Sequence, residues 1–248
     1  MLESAITINN LSKRFGDITA IDNLSLEIGW GELFGILGPN GAGKSTTINV
    51  LSTLLEPTDG SATIDGHDVI FDPEGVREVI GVCPQKPAFY PHLTGEENIT
   101  LMGEMHLVPK NILKERITTM VEKIDMEGHI RRRAKDYSGG MIRKVSMLMA
   151  LISDPKIALL DEPTVAMDPQ SRRAVWDYIR ELKEQGKAII LTTHYMEEAQ
   201  ELCDRVAIID EGKLIALGSP ADLMKEHQAR NLEEVFLKLT GKKLREAV

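Results

Sequence analysis

Apolar and polar positions follow three different spacings along the chain, and each spacing predicts a different kind of element. Between residues 5 and 30 the two alternate, cleanly at Ile6 and Ile8 and less strictly at Ile21, Leu24, Leu26 and Ile28, with turn signals at Gly16-Asp17 and Gly29. A period of two predicts paired β-strands. Short unbroken apolar runs then recur at 31–37, Val79–Cys83, Ile157–Leu160, Ala188–Thr192 and Val206–Ile209. Runs of this kind suit parallel strands covered on both faces. A short strand at Ala62–Ile64 lies between turns at Glu56–Gly60 and Asp65-Gly66, and Asp210–Lys213 turns into Leu214–Leu217. From 94 to 152 the spacing becomes helical: Leu101, Met105 and Leu107, then Ile112, Ile117, Val121 and Ile124, then Val145, Leu148 and Leu151 after Gly140. Thr94 with Glu97 three residues on is a capping-box start. Met102, Met105, Met120, Met147 and Met149 read as core filler of this segment. Further helices are predicted at Pro169–Gln185, Tyr195–Cys203 and Asn231–Lys242, the last presenting Leu232, Val235, Phe236 and Leu239.

Strands alternating with helices define an α/β chain. The expected organisation is one domain over 1–248. Residues 1–93 and 153–248 form an α/β core with an N-terminal antiparallel β subdomain, and 94–152 form an inserted helical lobe. A chain of 248 residues can bury one substantial core. A net charge of −9 argues against a dedicated nucleic-acid binder. No apolar run reaches the roughly 18–20 residues of a membrane span, and Met1-Leu2-Glu3-Ser4 does not read as a signal peptide. Cys83 and Cys203 lie far apart without metal-ligand spacing, as expected of reduced, buried thiols in a cytoplasmic protein.

Chemistry concentrates in three places. Gly38-Pro39-Asn40-Gly41-Ala42-Gly43-Lys44-Ser45-Thr46 follows a predicted strand and fits the phosphate-binding pattern of Gly, four residues, then Gly-Lys-Ser. Its glycines let backbone N–H groups face an anion, and a helix starting at Lys44 adds partial positive charge while carrying Ile48, Val50, Leu51 and Leu54 inward. Lys44 would reach the β- and γ-phosphates of a nucleoside triphosphate, and the Ser45 hydroxyl would ligate Mg²⁺. Asp161 and Glu162 end the apolar run Ile157–Leu160. Mg²⁺ needs a hard oxygen nearby, which Asp161 supplies directly or through water, while Glu162 can polarise an attacking water. Tyr137-Ser138-Gly139-Gly140-Met141 opens a helix and offers a hydroxyl and N–H groups to an anion. It lies across the inserted lobe from the first loop, so one chain is not expected to use both on one nucleotide.

In order and spacing these motifs resemble those of the ATP-binding subunit of an ABC transporter, and the resemblance covers essentially the whole chain. Gly38–Thr46 resembles Walker A, Gln85 the Q-loop glutamine, and Ser138-Gly139-Gly140 the signature motif. Ile157–Asp161 with Glu162 resembles Walker B and its catalytic glutamate, Asp168 the D-loop aspartate, and His194 the switch histidine. Phe15 stands where the family places an aromatic that stacks on adenine. Two departures are a Met141 where the family's signature carries glutamine, and a phenylalanine rather than tyrosine at 15. Tyr137–Met141, Thr192–Ala199 and Leu232–Gly241 are similar to the drug-resistance, daunorubicin-exporter-like ABC-2-type branch.

The resemblance implies a P-loop NTPase fold with a RecA-type core sheet, ATP and Mg²⁺ as cofactors, and ATP hydrolysis. It implies a head-to-tail homodimer, or a paired ATPase subunit, with each nucleotide between the Walker A of one chain and Ser138, Gly139, Gly140 and Asp168 of the other. Ser45, Gln85 and Asp161 would surround Mg²⁺, Glu162 would activate water, and His194 would contact the γ-phosphate. An integral membrane permease would be the driven partner, placing the chain peripherally on the cytoplasmic face of the cell membrane, with export favoured over import. Phe89 and Tyr90 either face that partner or pack the lobe. Arg131-Arg132-Arg133 with Lys135 reads as a solvated loop. The competing reading is a soluble ABC ATPase acting on a nucleic-acid or protein assembly. The coiled coil of the DNA-repair relatives and the second cassette of the translation-factor relatives are both missing from this sequence.

Overall fold

Two sheets and the helices between them account for the alternating and the continuous apolar runs. In a computed structural model, which describes residues 4–241, β1 (Ser4–Phe15), β2 (Ile18–Gly29), β4 (Asp59–Ile64) and β5 (His67–Asp68) form an antiparallel sheet ordered β2-β1-β4-β5. The second sheet holds β3 (Leu33–Leu37), β6 (Ile80–Cys83), β7 (Ile157–Asp161), β8 (Ala188–Thr193), β9 (Arg205–Asp210) and β10 (Lys213–Gly218) in the order β10-β9-β3-β8-β7-β6. All its pairings are parallel except that of the edge strand β10.

The second sheet is buried on both faces, and the two-residue period decides which core each side chain joins. Leu33, Leu37, Ala158, Leu160, Ile189, Leu191, Val206 and Ile208 join the helical core. Their neighbours Phe34, Ile36, Ile157, Leu159, Ala188, Ile190, Ala207 and Ile209 pack toward the antiparallel sheet. This explains why these strands read as unbroken apolar runs while β1 and β2 alternate.

Helix α1 (Lys44–Leu51) follows β3 through the 38–43 loop. Between β6 and β7 come α3 (Gly95–Met105), α4 (Lys110–Lys123) and α5 (Gly139–Leu151), whose buried faces extend the helical core without a break. Thr94 and Glu97 close a reciprocal capping box on α3. Helix α6 (Pro169–Glu184) joins β7 to β8, and α7 (Met196–Leu202) joins β8 to β9. Against α7 packs α9 (Leu232–Thr240), burying Leu232, Val235 and Phe236. The predicted end of that helix at Lys242 lies outside the described residues.

Some expectations fail for local reasons. Leu54 is exposed rather than inward, because α1 stops at Leu51 and the chain turns at Thr53, whose φ is 62°. Met105 and Leu107 are exposed at the end of α3, where Leu107 takes φ 57°, so Met105 is not core filler. Helices α2 (Pro73–Val79) and α8 (Pro220–Glu226) were not anticipated. At seven residues each they are too short to show a period, although Asp72-Pro73 and Ser219-Pro220 are cap-and-proline starts. The helix predicted after Gly140 begins at Gly139, with Ser138 as its cap.

Candidate active site

Parallel strands deliver their loops to one edge of the sheet, which is where ligands bind in open α/β folds. Four adjacent strands do so here. After β3 comes the 38–43 loop, after β6 Gln85, after β7 Glu162, and after β8 His194.

Lys44 is 5% exposed. Its Nζ donates to the carbonyl oxygens of Gly38 at 2.8 Å and Pro39 at 3.1 Å, and stands 3.7 Å from Glu162 Oε1. Burial pulls its pKa below that of an ordinary lysine, and the charges of Glu162 and Asp161 only partly offset this. The loop is held open by backbone conformation. Gly43, at φ 107°, caps α1, and a Cβ there would run into the Ala20 carbonyl oxygen. Ala20, Asn40, Gly41, Gly43, Lys44, Ser45, Thr46 and Gln85 line a cavity of about 310 Å³. Pro39 and Ala42 belong to the loop that carries these groups, and the Ala42 N–H closes a turn on the Pro39 oxygen at 3.2 Å.

Glu162 is the hub of the site. It is 5% exposed and has φ 50°, a left-handed conformation that costs a non-glycine residue roughly 1–3 kcal/mol. Its N–H donates to both the backbone and side-chain oxygens of Thr192, at 3.1 Å each, which fixes the bend at the end of β7. Its carboxylate meets His194 Nδ1 at 3.1 Å and accepts from Gln85 Nε2 at 3.4 Å. Burial pushes the Glu162 carboxyl up, but the His194 hydrogen bond, the Lys44 charge and the Gln85 bond together hold it below the usual carboxylate range. It is therefore ionised at neutral pH and able to accept a proton. Asp161, 2% exposed, accepts a hydrogen bond from Thr192 Oγ1.

Ser138 and Asp168 lie elsewhere, each at the start of a helix. Ser138 Oγ accepts from the Met141 N–H at 3.3 Å and Asp168 Oδ1 from the Ser171 N–H at 2.9 Å. The latter bond holds the Asp168 carboxyl below the usual range. Ser138, Gly140, Lys144, Ala166 and Asp168 are among the residues lining a second cavity of about 370 Å³, which shares no lining residue with the first. Gly139 opens α5 beside it, its Cα facing Ala166. Phe15, 46% exposed at the end of β1, lines neither cavity, and Lys13 Nζ lies 5.1 Å over its ring.

Sequence reasoning missed three groups. Thr192 joins Asp161 and Glu162. Arg143, buried on α5, donates to the carbonyl oxygens of Pro84, at 2.8 Å, and Gln85, tying the helix behind Ser138 to the Gln85 segment. Lys144 Nζ donates to the Ile124 oxygen at 2.7 Å, and burial lowers its pKa against the opposing pull of Asp125, Asp168 and Glu127. Only Thr192, two residues from His194, had a positional signal.

A phosphate-binding loop, a carboxylate at the end of a neighbouring strand and an order of strands that places them side by side define a P-loop NTPase. The family model described as ABC transporter matches residues 21–165. The chain is 39% identical, over 97% of its length and 76% of the relative's, to the daunorubicin resistance ATP-binding protein DrrA3 of Streptomyces coeruleorubidus. It is 39% identical to the Nod factor export ATP-binding protein I of Rhizobium sp. (strain N33), over 95% of this chain and 78% of that one. Among solved structures, an ATP-binding subunit of an ABC transporter superposes with a TM-score of 0.87 at 28% identity, covering 96% of this chain and 100% of that one. A dimeric post-hydrolysis state of the ATP-binding cassette MJ0796 bound to ADP and Pi superposes with a TM-score of 0.78 at 26% identity, over 86% and 98%. This chain belongs to the ABC transporter family, as an ATP-binding subunit with the family's ATPase domain. Among the described residues no helix is long and apolar enough to cross a membrane.

Proposed function

We propose that this subunit hydrolyses ATP at a site shared between two copies and drives a separate membrane-spanning exporter. The convergence of Lys44, Gln85 and His194 on the Glu162 carboxylate carries this reading. The backbone of 38–46 and Lys44 hold the phosphates, Glu162 takes the proton of the attacking water, and His194 orients Glu162 and meets the γ-phosphate. Phe15, exposed at the end of β1, would offer its ring to the adenine.

The donors present fit Mg²⁺. Asp161 offers one buried carboxylate at the end of β7 and Ser45 a hydroxyl in the lining of the first cavity, and Mg²⁺ characteristically uses one or two carboxylates together with substrate phosphates. Ser45, Gln85 and Asp161 would hold it, and when bound it neutralises charge on the phosphates.

Two observations support the shared site. The second cavity carries Ser138, Gly140 and Asp168 yet has no lining residue in common with the first, as a site completed by a second copy requires. The MJ0796 relative is described as dimeric with ADP and Pi. Ser138, Gly139 and Gly140 of a second copy would complete the γ-phosphate contacts, with Asp168 beside them. The inserted lobe of 94–152, together with Tyr90, exposed after the Gln85 segment, is the surface offered to an integral membrane permease. That assigns the chain a peripheral place on the cytoplasmic face. Relatives named for daunorubicin resistance, linearmycin resistance and Nod factor export favour export, and no nucleic-acid partner is expected at a net charge of −9. The test is sedimentation velocity of the Glu162→Gln chain. A dimer that forms with Mg-ATP and not with Mg-ADP is expected, and a monomer at every nucleotide and protein concentration overturns the shared site.

A further inference from the structure

Glu198 sits on α7, four residues beyond His194, and is 1% exposed. Its Oε1 accepts hydrogen bonds from Thr164 Oγ1 at 2.5 Å and from Trp176 Nε1 at 2.9 Å, while Oε2 is buried with no hydrogen-bond partner. A carboxylate withdrawn from water with one oxygen unpaired is costly. What it joins gives that cost a role. Thr164 lies two residues after Glu162, in the loop that ends at Asp168. Trp176 lies on α6, the helix that Asp168 caps. The loop holds two non-glycine residues at positive φ, Glu162 at 50° and Ala166 at 62°, so its shape needs outside support. A second clamp spans the same pair of helices, where the Arg172 guanidinium lies 5.0 Å over the Tyr195 ring. Arg172 Nε is the other buried side-chain nitrogen or oxygen without a hydrogen-bond partner among the described residues.

We propose that Glu198 is a positioning residue for hydrolysis. By holding Thr164 and Trp176 on one carboxylate oxygen, it fixes the 162–168 loop against α7. Glu162 and His194 then keep their 3.1 Å contact, next to the Lys44 and Gln85 that line the first cavity, while Asp168 keeps its place at the second. The loop begins at Glu162, in contact with Lys44 and Gln85 of the first cavity, and ends at Asp168 in the lining of the second, so one buried carboxylate bears on both. This rests on the reading of Glu162 and His194 as the hydrolytic pair.

The experiment compares Glu198→Ala, Glu198→Gln, Thr164→Val and Trp176→Phe with wild type in the purified full-length chain, measuring kcat, KM for ATP and the melting temperature, with Glu162→Gln as control. Glu198→Ala and Thr164→Val are expected to lower kcat tenfold or more with KM within about twofold. Glu198→Gln keeps an acceptor oxygen and should restore kcat to within about threefold of wild type. Variants that melt earlier but keep wild-type kcat while folded would reduce Glu198 to a packing residue and overturn the proposal, as would a Glu198→Gln as slow as Glu198→Ala. If Glu198→Ala does not fold, Thr164→Val, which removes a single hydroxyl, decides. Wild-type turnover in Glu162→Gln would instead overturn the hydrolytic reading, whereas a dead Glu162→Gln beside fully active Glu198 and Thr164 variants sinks this inference alone.

Discussion

Replacing Glu162 by glutamine removes a negative charge and a proton acceptor while keeping the shape of the side chain, so its effects on chemistry and on binding can be separated. For chemistry, a positioned general base contributes about 10²–10⁴-fold, or roughly 3–5 kcal/mol of barrier. Turnover should fall by that factor. For binding, Glu162 Oε1 lies 3.7 Å from Lys44 Nζ. At an effective dielectric constant near 20 the gross attraction is about 4 kcal/mol. Most of it is offset by the cost of withdrawing both charges from water, leaving a net of about 1 kcal/mol. ATP must draw Lys44 away from this carboxylate and bring its own negative charges close to it. Its affinity should therefore rise about fivefold in the variant, not fall. Phosphate release gives the rate and calorimetric titration of ATP gives the Kd. Turnover equal to wild type, or ATP bound tenfold more weakly, would refute the role of Glu162 and the reading of the Lys44 contact respectively.

Removing the imidazole in His194→Ala should cut kcat ten- to a hundredfold with ATP affinity within about threefold. Because the His194 bond helps depress the Glu162 carboxyl, its loss lets that pKa rise, so the acid limb of the kcat profile should move to higher pH; an unmoved limb with normal turnover contradicts the contact. Burial lowers the Lys44 pKa and phosphates favour its charged form, so ATP affinity should decline with rising pH earlier than an ordinary lysine would dictate, and Lys44→Ala should bind weakly without that alkaline dependence. Gly43→Ala meets both a φ of 107° and the Ala20 carbonyl. It should cost about 2 kcal/mol or more, a drop of roughly 4–8 °C in melting temperature, together with lost nucleotide binding; an unchanged calorimetric midpoint would be incompatible with the loop geometry. Burial pushes the Cys83 thiol up to about 11 and raises Cys203 well above its ordinary value. Both should resist a thiol reagent at pH 8 in the native chain and react at once in denaturant.

Much of the site was legible because its chemistry is local. The 38–46 loop depends on glycines at fixed offsets from a lysine, and Asp161-Glu162 is marked by the apolar run before it. The helical lobe announced itself through a change of period, and Thr94 with Glu97 gave its start. What escaped notice was either too short to have a period, as in α2 and α8, or lay where hydrophobicity is a poor guide. Met105 and Leu107 are apolar in sequence and exposed in space, because α3 ends beside them and the chain turns at Leu107. Arg143 and Glu198 are charged residues at buried positions, and nothing in their neighbours along the chain marks them as such.

By itself, then, the sequence determined the alternation of elements, the two faces of each strand and the chemical identity of the phosphate loop, since each is set by neighbours within a few residues. Only the tertiary structure decided the strand order that brings Lys44, Gln85 and His194 around Glu162. That order depends on pairings between segments as distant as β3 and β8, which no local period encodes. It also separated the loop of 38–46 from Ser138 and Asp168, because α3, α4 and α5 form an inserted layer whose core is continuous with one face of the sheet. The depth of Glu198 and the left-handed bend at Glu162 follow from the same packing. A side chain's burial and a strained backbone angle are set by everything that closes around them, and distant parts of the chain supply most of that.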